Sequence, residues 1–77
     1  MADLARRICE FMVGVDHYNF KDCYDNFEDF VTETIAGLYD ERRRKGIAAD
    51  LKGTAEWCEI DADAYEASML YREVVAL

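Results

Sequence analysis

Few side chains in this 77-residue chain are able to do chemistry. There are three cysteines, Cys9, Cys23 and Cys58, one histidine, His17, and one serine, Ser68. Acyl-transfer catalysis needs a nucleophile, a base and a group that orients the base, all within hydrogen-bond reach. Ser68 and His17 lie in different segments, so they do not supply it. Cys23 and His17 are the one pairing that proximity permits. Both fall near the start of an expected helix, where the N-terminus lowers a thiol pKa. Cys23 nevertheless reads better as a small core residue beside Phe27 and Phe30, because unbridged cysteine is among the most buried residue types. His17 reads as a turn residue. A domain of this size also has little room for an enclosed pocket of about 300 Å³. The chain is not expected to be an enzyme, and no catalytic residue is assigned.

Metal chemistry fares no better. Cys9, His17, Cys23 and Cys58 are arithmetically a zinc set, but their separations fit none of the knuckle patterns that let one loop grip the ion. Asp61-Ala62-Asp63 begins like a calcium loop. Tyr65 then replaces the third ligand, Glu66 takes the glycine position, and Arg72 stands where a bidentate glutamate belongs. A carboxylate-bridged diiron site needs Glu-x-x-His pairs, and the chain has none. No metal and no cofactor are expected.

Charge carries more information. Seventeen acidic residues stand against nine basic ones, for a net charge of -8, while 52% of residues are apolar and 13% aromatic. So much apolar character excludes a disordered acidic tail. The negative balance argues against binding duplex DNA directly. No apolar run approaches the roughly 20 residues of a membrane span. The run from Ile8 to Val15 is short and carries Glu10, so it does not read as a signal peptide. The odd cysteine count and wide spacing point to unbridged thiols in a reducing, cytoplasmic setting. One small domain covering residues 1–77 is expected. A core of this size rarely supplies more than about 3–5 kcal/mol unaided, which makes a partner or self-association a natural supplement.

The periodicity predicts an all-α fold, a small bundle of three to four helices. Leu4, Ile8, Phe11, Met12 and Val15 share one helical face, with Asp3 as N-cap and Gly14 as C-cap. After a turn ending at Asn19, Phe20, Phe27 and Thr34 recur every seven residues beside Tyr24, Val31 and Leu38. That pattern predicts a long amphipathic second helix of about 26 residues, roughly 39 Å, with a kink possible near Gly37. Arg42, Arg43, Arg44 and Lys45 would form its last turn, complementing the dipole, and Gly46 would close it. Asp40–Arg44 and Glu41–Lys45 are i, i+4 pairs, so the basic cluster reads as a helix end rather than a phosphate grip. Residues 47–52 read as a short helix ended by Gly53. The stretch 47–54 has the flavour of a helix-turn-helix, but the acids Glu56, Glu59, Asp61 and Asp63 beyond it would repel phosphates. Thr54 would cap another helical turn, with a strand over 56–60 as the alternative. A final helix capped by Asp61 or Asp63 would present Ala64, Ala67, Leu70, Tyr71, Val74 and Leu77 on one side and Tyr65 and Met69 on another.

The acids are unevenly spread. Residues 16–41 hold eight of them against Lys21 alone. On a continuous second helix Asp22, Asp25, Asp29, Glu33 and Asp40 would project within a narrow arc opposite the phenylalanines. Asp25–Asp29 and Asp29–Glu33 would then be like-charge neighbours, each costing about 0.2–0.5 kcal/mol. Carboxylates about 5–6 Å apart approach the phosphate spacing of a nucleic-acid strand. The stripe is therefore expected to bind a protein that carries a basic nucleic-acid-binding surface. Tyr39 and Trp57 are expected exposed anchors for such a contact, as Tyr and Trp are enriched at interface hot spots.

In size, charge and lack of catalytic residues the chain is similar to small inhibitors made by phages and mobile elements, including anti-restriction and anti-CRISPR proteins. The likeness lies in bulk properties of the whole chain and carries no residue across. It implies a protein-binding inhibitor acting by DNA mimicry. The alternative is a helical homo-oligomeric assembly or adaptor module working through apolar contacts.

Overall fold

The computed structural model describes residues 1–16, 19–58 and 62–77. They form α1 (Ala2–Asp16), a 3₁₀ turn (Phe20–Asp22), α2 (Phe27–Tyr39), α3 (Glu41–Trp57) and α4 (Ala62–Val75). No strand occurs among the described residues, so the all-α expectation holds. The core draws on every helix: Ala5, Ile8 and Cys9 from α1, Phe30, Val31 and Leu38 from α2, Ala48 and Leu51 from α3, Leu70 and Val74 from α4. α3 and α4 form the most extensive pairing, α1 packs on α2, and α1 touches α4.

The long second helix is not present; its residues fold as three pieces. A straight helix of roughly 39 Å would outrun a molecule whose longest extent is 34 Å. It would also carry Ala48 and Leu51 away from the core that buries them. The break falls at Asp40, not Gly37. Asp40 adopts an extended backbone (φ -98°, ψ 118°), and its carboxylate accepts from the amides of Arg42 and Arg43. An N-cap aspartate satisfies two of the donors that open α3. Arg44 Nη1 donates to the Leu38 carbonyl at 3.1 Å, serving the exposed C-terminal end of α2. The basic cluster thus opens a helix instead of closing one, and no Asp40–Arg44 ion pair forms among the described residues. The Glu41–Lys45 pair does form, at 3.3 Å.

Upstream, Asn19 caps the 3₁₀ turn through the Lys21 amide, and Asn26 caps α2 through the Asp29 amide at 2.9 Å. Phe20 folds back onto Phe27 and Phe30, with ring centroids 5.6 and 6.0 Å apart, and Tyr24 stacks on Phe30 at 5.2 Å. The seven-residue aromatic repeat is real packing, but it closes a loop rather than extending a helix.

Glycine misled in the same way. Gly14 lies within α1, and Gly46 and Gly53 lie within α3; none ends a helix. There is accordingly no turn within 47–54, and Thr54 is helical, donating its hydroxyl to the Asp50 carbonyl. Glu56 and Trp57 close α3, so they are not strand. Asp3 sits in the first turn of α1 rather than capping it, and Asp63 does the same in α4. The expectations for His17, Glu59, Ile60 and Asp61 lie outside the described residues.

Candidate functional site

The predicted acidic stripe is not one helix face. Asp22 is in the 3₁₀ turn, Asp25 in the link to α2, Asp29 and Glu33 on α2, and Asp40 at the cap of α3. Folding back the segment before α2 nevertheless brings three of these together. Asp25, Asp29 and Glu33 line one open surface groove with Cys23, Tyr24 and Thr32. Asp22 and Asp40 are not among its lining residues.

Local partners divide the five acids. Asp40 is committed to capping α3. Asp22 accepts a 3.5 Å hydrogen bond from the Asn19 side chain. Glu33 lies 3.4 Å from Arg43, both side chains being about half exposed. Asp29 occupies the first turn of α2, where negative charge complements the helix dipole. Among the described residues neither Asp25 nor Asp29 has a cation within ion-pair distance. The groove therefore holds three carboxylates and one peripheral guanidinium.

Other acids are structural. Glu28 receives two hydrogen bonds from Arg6 Nη2, at 2.6 and 2.8 Å, tying α1 to α2. That contact holds the Arg6 guanidinium above its ordinary pKa, and Arg6 also lies over the Phe27 ring. Arg7 reaches Glu73 at 2.8 Å, tying α1 to α4, and its pKa is likewise raised by that hydrogen bond. Arg6 and Arg7 thus tie α1 to both α2 and α4.

The thiols have separate fates. Cys9 is fully buried, with Sγ 3.1 Å from Thr34 Oγ1. The Thr34 hydroxyl also donates to the Phe30 carbonyl at 3.0 Å. Burial pushes the Cys9 pKa up, so it stays a neutral core thiol. Cys23 is exposed, not the core residue expected beside Phe27, and Cys58 is half-buried. Among the described residues no three or more His, Cys, Asp or Glu side chains stand together as a metal-binding group.

Tyr39 and Trp57 are 69% and 82% exposed. Tyr39 ends α2 and Trp57 ends α3, so the two rings are not part of the carboxylate groove. Tyr65, Val75 and Leu77 are exposed as well. Sequence reading missed Asn26 as a cap, although Asn26-x-x-Asp29 is a readable N-terminal signature.

The chain matches no protein-family model, no curated protein sequence and no solved structure. Among the described residues, no helix is long and apolar enough to cross a membrane.

Proposed function

We propose that this protein is a non-enzymatic, acidic protein-binding inhibitor. Its carboxylate groove engages the basic nucleic-acid-binding surface of a partner and blocks it electrostatically, in the manner of anti-restriction and anti-CRISPR inhibitors. The observation that supports this reading is the convergence of Asp25, Asp29 and Glu33 on one open groove with a single guanidinium at its edge. Carboxylates left unneutralised at a surface raise on-rate and specificity toward a cationic partner more than they raise stability.

The test is affinity capture from host lysate with the wild-type chain and with a variant carrying Asp25→Asn, Asp29→Asn and Glu33→Gln. The wild type should retain a nucleic-acid-binding protein that high salt releases. The variant, folded by circular dichroism, should not retain it. Capture of the same protein by both would overturn the proposal.

A second reading rests on a different observation. Tyr65 and Met69 share one exposed side of α4, one helical turn apart, and Val75 and Leu77 are exposed near its end. That surface suits assembly through apolar contacts, and it predicts a salt-resistant oligomer in sedimentation.

A further inference from the structure

The close helix pairings leave α1 and α3 facing each other without extensive contact, and a groove lies between them. Ile8, Phe11 and Met12 from α1 and Ile47, Leu51 and Thr54 from α3 wall its narrowest part. One end opens toward Tyr24 and Phe30. The other runs past Gly53 to Trp57, the most exposed large apolar side chain among the described residues. On α3 the groove is followed by Gly46, Asp50, Gly53 and Trp57, at i, i+4, i+7 and i+11, a single helical face. A Cβ added at Gly46 or Gly53 would meet nothing within 4 Å, so the space above the face is open. From Arg43 to Trp57 the groove tracks α3 for about 21 Å, the length of roughly 14 helical residues.

Its charges define what fits. Arg43 is committed to Glu33 and to the Glu33 carbonyl. Asp50 lines every part of the groove, and among the described residues no cation pairs with it. With Glu33 and Arg43 paired to each other, the uncompensated charge of the channel is thus negative, within a chain of net charge -8. A second copy would bring another -8 against it, whereas a cationic segment is attracted.

We propose that the α1–α3 groove docks one amphipathic helix of a cationic partner protein. Apolar side chains at i, i+3 or i+4 and i+7 lie along Met12, Ile47 and Leu51, and a lysine or arginine pairs with Asp50. Met12 supplies the adaptable contact that such grooves use. Trp57 forms the anchor at the end of the groove. The α1–α3 groove meets the carboxylate groove at one end, where Tyr24 and Glu33 line both; the inference rests on the stretch from Met12 to Trp57 and on Asp50, which the carboxylate groove does not include.

The test uses a labelled peptide of about 15 residues made of leucine and lysine, with leucines on one helical face. Binding is followed by anisotropy and by the emission of Trp57, the only tryptophan in the chain. Saturable binding is expected, and a version with glutamate for lysine should not bind. Asp50→Lys, and Gly53→Lys, which fills the open space, should each weaken binding about tenfold. Asp25→Lys, the same charge change in the other groove, should leave it within about twofold. These three positions are exposed, so folding is retained. Equal loss for Asp25→Lys and Asp50→Lys would mean the peptide senses only net charge, and would overturn the proposal while leaving the carboxylate-groove reading intact. Absence of saturable binding would overturn it too. So would equal affinity for the glutamate peptide, or a dimer in sedimentation whose interface buries Trp57.

Discussion

Replacing Gly46 by alanine distinguishes two opposite readings of the same residue. If Gly46 closed a helix in the left-handed conformation, a side chain there would strain the backbone and lower stability by about 1 kcal/mol. In the structure Gly46 is exposed in the sixth position of α3, and an added Cβ meets nothing within 4 Å. Alanine then gains the helix-propensity difference, about 0.8–1.0 kcal/mol, with no clash to offset it. Gly14 and Gly53 have the same open surroundings in α1 and α3, and substitutions at separated sites add. The triple variant should gain about 2–3 kcal/mol, large beside the about 3–5 kcal/mol expected of so small a core. At about 4–8 °C per kcal/mol, its midpoint should rise by at least about 10 °C. Gly37 is the buried comparison: its Cβ would sit 3.4 Å from Ile47 Cδ1 and 3.5 Å from Arg43, ordinary van der Waals distances to flexible side chains. Gly37→Ala should therefore also be no less stable than wild type. Thermal and urea melts followed at 222 nm measure all four. A Gly46→Ala variant less stable than wild type would refute the continuity of α3, and with it the placement of Asp40 as a cap.

Four further outcomes follow from the same geometry. Asp40→Ala should lose about 0.5–2 kcal/mol in urea melts, while Asp40→Asn, which keeps the accepting oxygen, should lose far less. Leu38→Ala removes a fully buried side chain from α2; a cost of about 2–5 kcal/mol, comparable with the whole expected stability, should lower the urea midpoint sharply and leave the chain marginally stable at 25 °C. Thiol titration should modify exposed Cys23 first and Cys9 only as the protein unfolds, and stability should depend on pH through Cys9. Its folded pKa lies above the ordinary 9.0, so the contribution is intact below that value and is lost as pH rises toward the folded pKa; Cys9→Ala should flatten the fall in urea midpoint above pH 9. Asp29→Asn forfeits about 0.3–1 kcal/mol of dipole interaction and relieves about 0.2–0.5 kcal/mol of repulsion from Glu33, so its melt should lie near wild type.

The helical class and most core residues were legible because burial follows period, and Leu4, Ile8, Val31, Leu38, Leu70 and Val74 all lie on apolar faces that repeat at helical spacing. The break between α2 and α3 was not legible. Asp40 serves equally well as an interior i, i+4 partner or as an N-cap, and only the need to bury Ala48 and Leu51 against α4 selects the cap. Glycine and the arginine cluster both resembled helix punctuation. Gly14 and Gly53 instead lie inside helices, as does Gly46 in α3, and Arg43 and Arg44 satisfy carbonyls of the preceding helix. The acidic positions were identifiable by composition. Their grouping was not, since Asp25 reaches Asp29 and Glu33 through a folded-back loop held by the Phe20, Tyr24, Phe27 and Phe30 rings.

The central claim is that the carboxylate groove and a nucleic acid compete for one surface. Its direct test is to add duplex DNA, in increasing amounts, to the captured partner bound to this chain at low salt. Displacement of the wild-type chain, with affinity falling steeply as salt rises and lost in the Asp25→Asn, Asp29→Asn, Glu33→Gln variant, is the predicted result. A ternary complex in which the partner holds both the chain and DNA would contradict it.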